Sequence, residues 1–511
     1  MSRGFIGGSK TGGDEPWAAD VARFGARSKT ECEIQPLSLF SSRKGRYSGW
    51  PQDRGSPNPC GCPDVGYLWT NGGISRCVNR PFSFNRALSR LHFRTDLRSY
   101  SRPHASIGTH NPFLPPTTTT APRKSIPKNM KTTLPLLAAS LMLANTYAAG
   151  DHLVYFGCYT NGKSTSKGIQ VATFNSTTGE LSEPELAAEM GNPSFLAFHP
   201  SKPFLYAVGE MSSPGRKGGT VTAFSILPTG KLQRLNQVSS VGEGPCHISL
   251  DRTGKMAMVA NYSGGSVASF ALQADHSLTD SVSFFQHTGS GPNTNRQASP
   301  HAHSINPSPD NRFALACDLG NDQVLVYAID PASGKMTAHG SGKVPSGSGP
   351  RHLAFHPNGK WVFVNNEITL TETTFSYDAD AGKLTEVETV STLPAADRDK
   401  KGFSTAETVV HPNGKFVYVS NRTHDTLAVF QCDPATGKLT LLQNVSVEGK
   451  IPRNFNLDPS GNWMIVALQD SGYAAVFKVD PEKGTVTFTG KKVPVGGAVC
   501  VRFLPLERTR P

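Results

Sequence analysis

Arginine, histidine, glutamate and aspartate recur through the C-terminal two-thirds of this chain at regular distances that a hydrophobic core does not require. One set contains Cys246, His301, Arg351 and Arg453, and a second contains Glu210, Tyr262, Asp318, Glu367 and Arg422. A guanidinium presents a planar fork of donors to a phosphate, a carboxylate or a developing oxyanion. A carboxylate or a neutral imidazole held among such forks can take a proton from water. Opening an ester needs those parts: an activated water, a base, and donors for the oxyanion. The same side chains also form structural ion pairs between strands, so their chemistry depends on a fold that gathers them.

Their spacing follows an internal repeat. A short apolar strand runs into a turn opened by a pair such as His-Pro, and another strand follows. The phrase reads Phe198-His199-Pro200, Leu250-Asp251-Arg252, Ile305-Asn306-Pro307, Phe355-His356-Pro357, Val410-His411-Pro412, Leu457-Asp458-Pro459 and Phe503-Leu504-Pro505. Its anchors fall at 200, 252, 307, 357, 412, 459 and 505, so the gaps are 52, 55, 50, 55, 47 and 46 residues. Six residues before the anchors lie Ser194, Cys246, His301, Arg351, Ala406, Arg453 and Val499. About ten after them lie Glu210, Tyr262, Asp318, Glu367, Arg422 and Gln469. The two sets flank a hairpin and are expected at one end of each unit.

Each unit reads as four short strands. After His411-Pro412, Asn413-Gly414-Lys415 supplies turn chemistry. The stretch from Phe416 is aromatic and β-branched enough for a strand, and two more strands follow, separated by a turn at Gly437. Four strands per unit of roughly 45 residues make one blade of a β-propeller, and amphipathic helices are absent. The seventh anchor has no strands after it, while residues 153–181 match the later part of every other unit. The expectation is therefore an all-β, seven-bladed β-propeller over 149–511, its last blade closed by strands from both termini, which removes exposed sheet edges.

Five segments resemble the 6-phosphogluconolactonase family of seven-bladed propellers, which includes a fungal carboxymuconate lactonising enzyme. They are Pro300-His301-Ala302-His303, Cys317-Asp318-Leu319-Gly320-Asn321-Asp322, Gly349-Pro350-Arg351-His352, Asn365-Asn366-Glu367 and Val419-Ser420-Asn421-Arg422. The resemblance covers nearly all of 149–511. It implies a lactonase, with a His, two Arg and a Glu at the channel mouth as active site; these fall on His303, Arg351, Glu367 and Arg422. Glu367 or His303 would be the base and the arginines anion clamps. His301, His352, Arg453, Asp318 and Glu210 are the expected substrate contacts, with His301 or His352 a donor to the leaving oxygen. One departure follows Glu367, where Ile368-Thr369-Leu370-Thr371-Glu372-Thr373-Thr374 reads as a longer loop that reshapes the substrate site. No metal and no cofactor are expected: His301 and His303 share a strand face, but spacing forces no third ligand.

The rest of the chain bounds the partners. Residues 1–129 hold 19 Lys and Arg against 8 Asp and Glu, whereas 149–511 hold 31 of each, so the basic excess says nothing of the propeller and argues against nucleic acid as its partner. Residues 1–129 read as a disordered extension or as upstream sequence that is not translated; Cys60-Gly61-Cys62 has no second pair at metal-site spacing. Met130-Lys131-Thr132-Thr133, an apolar run over 134–144 and Thr146-Tyr147-Ala148 have the layout of a signal peptide, 130–148. The run has 11 residues, short of the roughly 20 of a membrane span. Export is expected if translation starts at Met130, and a cytoplasmic location if the signal is unused. Cys158, Cys246, Cys317, Cys432 and Cys500 sit in apolar strand-like stretches and imply no disulfide framework. The expected partner is a small lactone, bound by a monomer with no membrane insertion after signal removal. Two alternatives are a non-catalytic binding propeller at the cell envelope and a carboxymuconate-type lactonising enzyme.

Overall fold

The computed structural model describes residues 151–211 and 218–509. The segments 1–129 and 130–148 lie outside the described residues. Six four-stranded antiparallel sheets follow one another along the chain: blade 1 (195–239), blade 2 (245–286), blade 3 (302–343), blade 4 (350–391), blade 5 (404–446) and blade 6 (452–494). The seventh joins Ala498–Pro505 to His152–Cys158, with Tyr155 opposite Arg502 and Gly157 opposite Cys500. Gly168–Asn175 and two short strands complete it. The seven-bladed reading and the shared last blade are thus what the chain builds.

The repeated His-Pro phrase has a physical reason. The amide of His356 donates to the carbonyl of Trp361 at 2.9 Å, and the same span of five residues recurs at His411, Asp458 and Asp251. His356 Nδ1 accepts from the Asn358 amide at 3.0 Å, which leaves Nε2–H to donate to the Gly414 carbonyl of the next blade at 2.8 Å. His411 repeats the contact with Gly461 at 3.0 Å. Each such histidine shapes its own turn and clasps its neighbour. On the outer side, Gly179 (φ +70°) lies against the Trp463 ring, where a Cβ would fall 2.2 Å from a ring carbon. Trp463 Nε1 donates to the Ser176 carbonyl at 2.7 Å, tying blade 6 to blade 7. Between these ties the blade faces are dry: Tyr155, Phe174, Phe270, Phe363, Phe375, Phe430 and Phe477 are fully buried. At roughly 1.5–3 kcal/mol per buried side chain, this packing is the main favourable term.

The hydrogen bonds correct the repeat in one blade. In blade 3 the five-residue span starts at Ser308, whose amide donates to Phe313. Its anchor is therefore Pro309, two residues beyond Pro307. The strand Ala302–Pro307 then matches Pro350–Phe355 with His303, not His301, in the place of Arg351. Leu319 takes the place of Glu367: its amide donates to His301 as that of Glu367 does to Gly349. Asp318 falls one residue short, and in a strand one residue turns a side chain to the other face. The segment after Glu367 is also corrected. Residues 367–370 form a tight turn, and Thr371–Asp378 is the third strand of blade 4, not a loop.

Candidate active site

Six of the seven inner strands skip residues in their pairing near the start: Cys246, His303, Arg351, Arg453 and Val499 singly, and Ala406 with Glu407 in blade 5. A bulge of this kind bends the strand and re-aims the side chain it carries. Five of these bulged residues are polar or ionisable, and three of them, Cys246, His303 and Arg453, line a cavity of about 310 Å³. Its wall includes Cys246, His303, Arg453, Glu367, Arg422 and Glu210.

Glu367 is the centre of the site and is 3% exposed. Its Oε2 receives Arg351 Nε at 3.1 Å and Arg422 Nη2 at 2.9 Å, and its Oε1 receives Arg296 Nη2. Burial pushes the carboxyl up, but Arg422, Arg351 and Arg296 outweigh it and hold the group down at about 2. Arg351 is buried, and that burial, with Arg453 and Arg422 beside it, lowers it to about 10, so it stays a cation at neutral pH. For Arg453, Tyr159, Glu210 and Glu367 overcome the burial penalty and raise it; the Tyr159 ring lies 5.5 Å beneath the guanidinium. The Nε of Arg422 is buried without a partner among the described residues.

His303 sits 3.8 Å from Glu367 Oε2 through Nε2 and 3.6 Å from Cys246 Sγ through Nδ1. Burial first, then Arg351, His352 and Arg453, keep its pKa well below the usual 6.5, so the ring is neutral. Glu210 accepts from the Tyr159 hydroxyl at 3.2 Å. The cavity thus gathers His303, Glu367, Arg422, Arg453 and Glu210, with Arg351 against Glu367. His301 stands beside it, stacked on Tyr262 at 4.7 Å with Nδ1 3.0 Å from the Tyr262 carbonyl. Asp318 is not in the wall: it is fully buried, Oδ1 taking the His301 and Gly320 amides and Oδ2 taking His287 Nδ1 at 2.5 Å. His352 lies behind Arg351 in the channel.

Sequence reasoning missed Arg296. It comes from the long connection between blades 2 and 3, approached in length only by that between blades 4 and 5, and that extra length was its only signal. Fully buried Gln297 holds the connection, donating through Nε2 to the Leu319 carbonyl at 2.9 Å and to Asp322 Oδ1 at 2.7 Å. Arg296 also donates to the Tyr262 hydroxyl at 3.2 Å. Tyr262 stood at the repeat offset, but carries no charge and was passed over.

Four guanidinium groups set against two carboxylates and a neutral imidazole, at one mouth of a seven-bladed ring, define a propeller with an arginine-rich pocket. The chain belongs to the family described as lactonase, 7-bladed beta-propeller, which matches residues 153–503. It is 36% identical over 354 residues to 6-phosphogluconolactonase of Bacillus subtilis (strain 168), covering 69% of this chain and 98% of that one. Among solved structures it is similar to a periplasmic gluconolactonase of Pseudomonas aeruginosa, with 34% identity, a TM-score of 0.64, and coverage of 70% and 99%. It is also similar to a putative 6-phosphogluconolactonase of Bacteroides fragilis, with 34% identity, a TM-score of 0.63, and coverage of 69% and 98%.

Proposed function

We propose that this protein hydrolyses a sugar-derived lactone by a metal-independent route. The observation that carries the reading is Glu367, a buried carboxylate shared by Arg296, Arg351 and Arg422 at the edge of a cavity of about 310 Å³. The arginines hold the substrate's anionic group and receive the oxyanion as water adds to the ring carbonyl. A cavity with this excess of guanidinium repels a cation, which supports the metal-independent reading.

With its oxygens taken by three guanidinium groups, Glu367 is a poor base, and His303 takes that role. Its neutral ring accepts a proton from water, and Glu367, 3.8 Å away, steadies the imidazolium that forms. An anionic substrate offsets the arginines that depress His303 and so raises its basicity on binding. The leaving ring oxygen takes the proton back, giving the open-chain acid.

The layout of residues 130–148 and the likeness to a periplasmic gluconolactonase support export. The substrate of an exported form is an acidic lactone, whose carboxylate the arginines bind, or an unphosphorylated aldonolactone, for which they receive the oxyanion and then the carboxylate of the product. The test is acid release by the purified protein from gluconolactone, its 6-phosphate and a muconolactone, with and without chelator. Turnover unaffected by chelator is expected, with Arg351→Ala reducing kcat/KM about 10²–10³-fold. A native protein that binds lactones but opens none would overturn the reading in favour of a binding propeller.

A further inference from the structure

Behind Arg351 the channel widens into a second cavity of about 290 Å³, whose wall includes His247, His352, Glu407 and Arg502. His352 is buried among the rings of Phe195, His247 and His303, with centroids 5.4–5.5 Å away. Arg351 Nη1 lies 3.2 Å from His352 Nε2 and also donates to the Ala406 carbonyl. A guanidinium has only donors, so Nε2 is the acceptor and the ring proton sits on Nδ1. Nδ1–H donates to Glu407 Oε1 at 2.9 Å. Oε1 also receives the Thr408 amide at 3.0 Å, and Oε2 receives Asn454 Nδ2. Asn454 cannot turn around, because its Oδ1 accepts from the Val501 amide at 2.8 Å. Donors therefore meet both oxygens of Glu407, which a carboxylate satisfies and a glutamine amide does not.

Resting on the lactonase reading above, we propose that Glu407 and His352 are positioning residues for ring opening. Glu407 fixes the Nδ1–H tautomer of His352, and the Nε2 lone pair so presented orients the Arg351 guanidinium that holds Glu367 and meets the oxyanion. Neither residue touches substrate. The contacts run across blades 4, 5, 6 and 7, so the orientation of Arg351 is set by four blades at once.

Two substitutions separate positioning from packing. His352→Gln keeps an acceptor near Nε2, whereas His352→Phe keeps the ring and its neighbours but no acceptor. The expected kcat of His352→Gln is within about 3-fold of native, and that of His352→Phe and of Glu407→Gln about 10-fold lower, with KM changed less than about 3-fold. Thermal melts confirm that each variant is folded. A merely structural role gives the reverse order, with His352→Phe the milder change, and overturns the proposal. Nitrogen NMR of the ¹⁵N-histidine-labelled full chain supplies a readout independent of turnover. His352 is expected to carry its proton on Nδ1 and to show no titration from pH 5.5 to 8.5. A proton on Nε2, or a ring that titrates near pH 6.5, overturns the proposal even where lactone turnover is intact. Failure of the native protein to open any lactone counts against the lactonase reading alone.

Discussion

Glu367 separates two roles that its residue type leaves merged. A carboxylate among guanidinium groups is equally a base and a tether, and at about 2 this one is a tether. Its pKa falls below the ordinary 4.5 on folding, so its contribution to stability is complete above the unfolded value and is lost as pH falls toward 2. That contribution is on the order of 3 kcal/mol. Glu367→Gln is therefore expected to melt at lower temperature than native at pH 7, with the difference shrinking between pH 4.5 and 2. His303 makes the complementary prediction for the rate. As the proposed base it acts in its neutral form, and its pKa is depressed, so kcat/KM is expected to be level from pH 6.5 upward and to fall only in more acid solution; a rise in kcat/KM through pH 7 would remove His303 as the base. The residue types at the site were legible because they recur at fixed offsets. His301 and Asp318 show the limit: Ile305-Asn306-Pro307 imitates the anchor phrase, and a slip of two residues exchanged His301 for His303.

At the scale of elements, the histidine of each His-Pro pair turns out to be a clasp. His356 joins the turn of its own blade to Gly414 in the next, with both ring nitrogens used. His356→Ala is expected to cost about 1–3 kcal/mol, read as a lower denaturation midpoint, with lactone turnover retained because the clasp lies away from the arginines. The connection that carries Arg296 gives a contrasting case. Gln297→Ala removes the side-chain bonds that hold it, and is expected to raise KM several-fold as it loosens one guanidinium on Glu367, besides a stability cost of about 1–3 kcal/mol for the partners left unpaired. Strands and turns could be read from composition and period. This connection could not, because its residues follow no period. The segment after Glu367 failed for a related reason: threonine-rich stretches serve turn and strand alike, and only pairing with Trp361–Asn366 separates Leu370 from Thr371.

For the whole molecule the ring was legible because seven phrases and an incomplete last unit leave one solution. The site was less so, since its geometry comes from bulges, and a bulge leaves no mark on the hydrophobic pattern. Closure also makes a prediction. Without Ala498–Pro505 the strand His152–Cys158 keeps Gly168–Asn175 but loses its inner partner, and both its freed edge and the inner channel meet water. A chain lacking residues 498–511 is expected to aggregate and to show no cooperative melt, measured by size-exclusion chromatography and calorimetry; a monomeric variant with a sharp transition would show that the seam is dispensable.

That seam also orders events in time. Tyr155 and Arg502 are partners separated by most of the propeller sequence, and bringing such distant points together costs roughly 5 kcal/mol of chain entropy. Blades 1 to 6 each pair strands that are neighbours along the chain and can form as they emerge from the ribosome. The seventh must wait for the final strand. Until then the arginine-lined mouth has no fixed circumference, so the pocket is completed in a single late step rather than blade by blade.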